Sequence, residues 1–383
     1  MEGNKNSFGA VLTKNFSEYE KLEKKYGIIP SEIIQIDLNR SGIYLPNGEV
    51  RENYRVRYKG EISGSRNSWF ALPVRSKNDT PFSATAEKIN FKDIQIGSYD
   101  ELRLDTCESS YQRGPNLLNL NSRSRSNCGG CRACVHNYHS LYDQTVIKDR
   151  KPLITKKDID DFFTSKKIDV SKLTQIAVVT GLFGSEENVI SHMKLVNEVA
   201  KQRGFQGELM YFGCEVNSQE ALDELAKLGN SAIIYALDNF TKRDLLLNKT
   251  KALITLKTAK RTLEEAKRRG IETTISYISG IDSLKDMVEG FSELKESLTR
   301  FPVVNIYQIQ TPQQASIMNE KAANLEYYIK ARTELERIFA ETEFRPKRWE
   351  NYRPLWYDTF ANEGLPSNSY GECEQLKRKI RTP

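Results

Sequence analysis

The chain has 383 residues, of which 38% are hydrophobic and 10% aromatic, enough to bury a core and too apolar for wholesale disorder. Its 57 basic and 51 acidic side chains leave a net charge of +6, a mild excess that permits an anionic ligand without demanding a nucleic acid. No stretch reaches the roughly 18 consecutive apolar residues of a membrane span, and residues 1–16 lack the apolar run of a signal peptide. The expectation is a soluble, cytoplasmic protein.

In chain order, FSEYEKLEKKYG (16–27) has helical spacing and stops at a glycine, so residues 1–30 read as a helical lead-in. From 31 to 113 the character changes. IIQIDL, YRVRYKG and WFALPV, separated by PNGE, SGSR and KNDTP, read as short strands and turns. Residues 1–113 are therefore expected to form a mostly β N-terminal module.

Beyond it, strands and helices alternate. The candidate strands are 117–122, 176–181, 208–213, 232–237, 273–278 and 303–309. The clearest helices, NVISHMKLVNEVAKQRG, QEALDELAKLG and LKTAKRTLEEAKRRG, each end on a glycine with Lys or Arg in the last turn. Strand–helix alternation implies a parallel sheet, and about six units make a partial (β/α)6 barrel over 114–312, with an open doubly wound sheet as the alternative. Residues 313–383 are expected to hold one long helix (314–343) and an irregular tail. The stretch FRPKRWENYRPLWYDTF would either cap the barrel mouth or simply pack onto it.

Six cysteines are too few for a disulfide framework, yet Cys128, Cys131 and Cys134 fall within one short loop after the first strand of the series. Three thiolates from one loop can take three corners of a [4Fe–4S] cubane and leave the fourth iron open. Gly129 and Gly130 let the backbone wrap the sulfurs. Zinc is the competing occupant, with His136 or His139 as a fourth ligand. In that case the protein would be a zinc-stabilised nucleic-acid binder using SRSRS (122–126) against phosphates.

With these residues in hand, the segment 115–312 resembles the core of the radical S-adenosylmethionine (SAM) superfamily. A cysteine triad follows the first strand. TGLFGSE (180–186) is similar to the family's glycine-rich acidic motif. YALDNF (235–240) stands where members carry a polar residue facing SAM, and YISGIDSLKD (277–286) resembles their G-x-I-x-G-x-x-E segment. The sequence departs from the family in its C-x2-C-x2-C spacing and in Ala133, where an aromatic is usual.

The resemblance implies a cluster on Cys128, Cys131 and Cys134, and SAM contacts at Gly181, Ser185, Glu186, Asp238 and Ser279. It implies reductive cleavage of SAM with electrons from a flavodoxin or ferredoxin, and hydrogen abstraction from a small molecule such as an amino acid, nucleoside or biosynthetic intermediate. A peptide or tRNA substrate is the alternative, and the modest charge weighs against RNA. Cys214, just past the third strand, is the candidate catalytic residue, as a hydrogen-atom donor; its bland reading is a small buried hydrophobe. Cys107 and Cys373 stand alone, and His192 reads as structural.

Overall fold

The computed structural model describes residues 17–46, 54–60, 69–75, 78–99, 102–104, 110–114, 116–122, 130–134, 152–179, 181–309, 312–347 and 353–365. The chain opens with two helices, α1 (Ser17–Tyr26) and α2 (Pro30–Ser41). The second contains IIQIDL, for which the sequence suggested a strand. The helix wins because Pro30 fixes its first turn, Arg40 stands in its last, and Gly42, at φ 74°, closes it by donating to Leu38 O. Ten of its residues are buried, so apolar side chains face inward on every side and their period carries no sign of one exposed face.

Seven strands follow: β1 (Ile43–Tyr44), β2 (Tyr54–Gly60), β3 (Trp69–Arg75), β4 (Phe82–Thr85), β5 (Lys88–Phe91), β6 (Ile94–Ser98) and β7 (Leu102–Leu104). They form one sheet in the order β3-β1-β4-β5-β6-β2-β7, and an added β2–β3 pairing brings it back on itself. The strands expected at YRVRYKG and WFALPV are both in it.

The second sheet positions the site. Its strands are β8 (Tyr111–Gly114), β9 (Leu117–Leu120), β10 (Gln175–Val179), β11 (Glu208–Gly213), β12 (Ser231–Asp238), β13 (Glu272–Ser279) and β14 (Val303–Ile306). From β9 to β14 each strand pairs in parallel with the next in sequence, and β8 is antiparallel to β9. Among the described residues β14 does not pair with β9, so the sheet is a curled half-barrel. The edge of β14 is instead met by the tail, where Ile306 N–H donates to Arg353 O at 2.8 Å.

The connecting helices are α3 (Lys156–Ser165), α4 (Glu186–Gln202), α5 (Gln219–Ala226), α6 (Arg243–Leu246), α7 (Lys249–Ala252), α8 (Leu256–Arg268) and α9 (Leu284–Leu294). Ser185, Ser218, Thr255 and Ser283 start α4, α5, α8 and α9, each side chain accepting a backbone N–H of the first turn.

Alternation along the strands splits the sheet into two faces. Ile176, Val178, Leu209, Tyr211, Ile233 and Tyr235 join the main core with the helices. Ala177, Met210, Ala232, Ile234 and Val303, flanked by Val179 and Phe212, form a separate small cluster on the concave face.

The expected long C-terminal helix is broken into α10 (Pro312–Ala315), a 3-10 turn at Glu320–Ala323 and α11 (Leu325–Ile338). Asn319 and Asn324 cause the break: their side chains accept the N–H of Lys321 and Glu326 and start new turns. The tail then returns to α2. Glu32 accepts the N–H groups of Tyr357, Asp358 and Thr359 and pairs with Arg332.

Candidate active site

In parallel α/β sheets the loops after the strands' C-terminal ends carry the chemistry, and here five such loops converge. The described part of the cysteine loop runs from Gly130 to Cys134; Cys128, His136 and His139 lie outside the described residues, as do Cys107 and Cys373. Gly130 adopts φ 93°, a conformation that favours glycine. A tight turn follows, with Cys134 N–H donating to Cys131 O at 3.0 Å.

The loop is docked on α6 and α7. Arg132 N–H donates to Leu246 O at 2.8 Å, and Gln314 Nε2 donates to Ala133 O at 3.0 Å. Asn248 N–H donates to Cys131 Sγ at 3.2 Å. Cys131 and Ala133 lie against Leu246, Leu247, Ile281, Tyr307 and Ile317, and both cysteines remain part-exposed.

The platform under this loop is rigid for identifiable reasons. At the end of β12 the pairing register shifts between Ala236 and Asp238, and Asp238 takes φ 67°. The buried Arg243 guanidinium then donates to four carbonyls, those of Ile254, Leu237, Asn239 and Lys251. Asp282 ties β12 to β13, accepting from Phe240 N, Thr241 N, Thr241 Oγ1 and Tyr277 Oη.

Held in this way, Lys251 forms an ion pair with Asp238 at 2.5 Å. Burial disfavours its charge, but Asp238 and the Cys214 and Cys131 thiols hold the ammonium above the ordinary lysine range. Burial pushes the Cys131 thiol up to about 11, opposed by Lys251 and the Asn248 N–H. Burial likewise pushes Cys214, 1% exposed, up to about 12. Without a metal both stay protonated at neutral pH; a metal would displace the proton, and Lys251 would favour the resulting anion.

The remaining sequence candidates occupy the neighbouring loops. Gly181 lies just past β10, part-exposed. Ser185 caps α4 through Asn188 N. Glu186 accepts the N–H groups of Asn217 and Ser218 and so couples the β10 loop to the β11 loop. Glu215 makes the reciprocal link, accepting from Phe183 N and Gly184 N at 2.8 Å each. Ser279 is fully buried at the end of β13, and His192 is buried against Phe183.

The described tail runs along β14, with Arg353 bonded to Asn305 and Ile306 at the strand's C-terminal end. Trp356 packs on Phe301, ahead of β14, at the opposite end of the strands from the cysteine loop. Trp349 and Tyr352 lie outside the described residues.

Sequence reasoning had brought Cys131, Asp238 and Cys214 to one end of the sheet, and the structure connects them through Lys251. It had missed Lys251, Arg243, Asn248 and Asp282. TKRDLLLNKTKA (241–252) reads as an ordinary polar connection, and only the fold carries it to the cysteines.

The site's chemistry fits an iron–sulfur cluster as far as it is described. Two part-exposed thiols stand three residues apart, one sulfur accepts a backbone N–H, and a half-buried cation is within electrostatic reach. Among the described residues no three His, Cys, Asp or Glu side chains are arranged around an ion, the third thiol of the motif being outside them.

No protein-family model matches the chain, and no curated protein matches it. Solved structures do. One is Streptococcus suis SuiB bound to S-adenosylmethionine, at 12% identity and TM-score 0.38, over 57% of this chain and 48% of that one. Another is Escherichia coli coproporphyrinogen III oxidase HemN, described as a radical SAM enzyme, at 12% identity and TM-score 0.35, over 60% of this chain and 53% of that one. Methylornithine synthase PylB aligns at 13% identity and TM-score 0.44, over 70% of this chain and 82% of that one. The chain spans about half the length of the first two.

Proposed function

We propose that the chain is a radical SAM enzyme, with a [4Fe–4S] cluster on Cys128, Cys131 and Cys134 that leaves one iron for S-adenosylmethionine. The observation that carries this reading is the seat of Cys131. It lies at the C-terminal ends of six parallel strands, with its sulfur accepting the Asn248 N–H and the Asp238–Lys251 pair beside it. When bound, the cluster supplies the single electron that splits the S–C5′ bond of SAM, giving methionine and a 5′-deoxyadenosyl radical.

The chain's own residues bind, orient and shield. Arg243 and Asp282 fix the loops that carry Asp238, Asn248 and Lys251. Gly181 and Asp238 line the strand ends, where the SAM amino acid and nucleoside portions are held, and Ser279 is buried at the end of β13. Ser185 and Glu186 act on SAM by setting the β10 loop, since both side chains bind neighbouring backbone. Cys214 returns a hydrogen atom to a substrate radical, a reading supported by its electrostatic coupling to Lys251 and Cys131 and by a thiol that burial keeps protonated.

The substrate is a small molecule such as an amino acid, a nucleoside or a biosynthetic intermediate. The electron donor is a flavodoxin or ferredoxin.

The test is 5′-deoxyadenosine release from SAM and dithionite by anaerobically reconstituted protein. Wild type should release it, and Cys131→Ser and Cys134→Ser should not. Equal release by all three proteins would overturn the assignment. Stimulation by a peptide or tRNA, and by no metabolite, would overturn the small-molecule substrate alone.

A further inference from the structure

Asn248 has three polar groups besides its carbonyl, and two are accounted for. Its backbone N–H donates to Cys131 Sγ. Its Oδ1 accepts Lys251 N–H at 3.0 Å and caps the short helix that carries Lys251. Its Nδ2 is fully buried, in a side chain 8% exposed, and has no acceptor among the described residues. A buried carboxamide donor without a partner costs free energy, and native folds rarely keep one unless something absent from the chain takes it up. The structural duties of this residue are met by its other atoms, so capping does not explain the amino group.

Asn248 itself adjoins the cysteine loop. A Cβ on Gly130 would come 3.4 Å from the Asn248 Cβ, so Asn248 touches the loop at Gly130 as well as at Cys131. Sulfur of a thiolate-bound cluster is an acceptor, and it becomes more negative when the cluster is reduced. Hydrogen bonds to cluster sulfurs therefore favour the reduced state.

We infer that Asn248 is a positioning residue that sets the cluster's reduction potential, its backbone N–H holding Cys131 while its Nδ2–H donates to a sulfur of the bound cluster. This rests on the cluster reading above. The Lys251 ammonium, which interacts electrostatically with Cys131, acts in the same direction.

The test uses full-length protein, reconstituted anaerobically, with iron and sulfide counted and the reduction followed by electron paramagnetic resonance at controlled potentials. Asn248→Ser keeps a cap oxygen and removes the carboxamide. Its one-electron reduction equilibrium should shift about tenfold toward the oxidised form, a midpoint lower by about 59 mV. Iron content and urea midpoint should match wild type. Asn248→Thr, which keeps a cap oxygen, adds no charge and loses the carboxamide donor, should shift the same way and carries the comparison if the serine variant folds poorly.

A midpoint within twofold of wild type in a fully loaded variant would overturn the inference and leave the cluster reading intact. A wild-type protein that takes up zinc and no iron would overturn both.

Discussion

Replacing Glu32 with glutamine should unlatch the C-terminal tail from the rest of the chain. Glu32 is 0% exposed and Arg332 1%. One carboxylate oxygen accepts the N–H groups of Tyr357, Asp358 and Thr359 at 2.9, 2.8 and 3.1 Å. The other faces Arg332 at 3.1 Å and the Thr359 hydroxyl. The amide presents one oxygen and one NH2 to a site built wholly of donors, and it leaves a buried guanidinium with only Glu336 as ionic partner.

Breaking a buried pair from one side costs about 3–5 kcal/mol. Because Glu336 remains, the lower figure of about 3 kcal/mol applies. Burial disfavours the Glu32 charge, but Arg332, Thr359 and the backbone donors outweigh it and hold the carboxyl below its usual range. A depressed carboxylate contributes stability that is complete above its unfolded value of about 4.3 and fades as pH falls through the folded value. The gap between wild type and Glu32→Gln should therefore be flat above about pH 5 and shrink below about pH 4. Urea unfolding at several pH values, with amide exchange at residues 357–359, measures both. A gap under about 0.5 kcal/mol at pH 7 together with unchanged exchange would refute the latch.

Gly42→Ala should destabilise by more than about 2 kcal/mol, because φ is 74° and the new Cβ would stand 2.3 Å from Pro73 O; Gly229→Ala, at φ 101° with nothing within 4 Å, should cost only the backbone strain, and paired urea melts separate the two. Arg243→Lys keeps the charge but cannot reach four carbonyls, so iron retention against a chelator should fall about tenfold, the usual range for outer-sphere supports of a metal site. Glu215→Gln retains one acceptor for Phe183 N and Gly184 N and replaces the other with a donor, so SAM affinity by calorimetry should weaken about five- to tenfold while iron content holds.

The second sheet was legible because its signals are local. Residues 208–213 are a short apolar and aromatic run between clear turns, and β11 occupies that span. Gly204, Gly229 and Gly270, each at positive φ with Lys or Arg in the turn before it, marked the ends of α4, α5 and α8, a signal that acts within one turn. The failures were of two kinds. Residues 33–38 have no exposed face, so their period could not distinguish a helix from a strand, and tertiary burial decided for the helix. The supports of the cysteine loop are bonds across long stretches of chain: Cys131 to Asn248, Phe240 to Asp282, Glu215 to Gly184. No spacing rule connects such residues, because parallel strands bring them together only after the crossovers have folded. Chemistry concentrated in one loop was visible, and the shell that positions it was not.

The central claim is that the cysteine loop holds a cluster with an iron open to SAM. The most direct measurement is the electron paramagnetic resonance spectrum of dithionite-reduced, reconstituted protein before and after addition of SAM. The account predicts about four irons per chain and a reduced-cluster signal whose g-values shift when SAM binds, both lost in a Cys128→Ala, Cys131→Ala, Cys134→Ala variant. Stoichiometric zinc with no iron uptake, or a cluster signal indifferent to SAM, would contradict it.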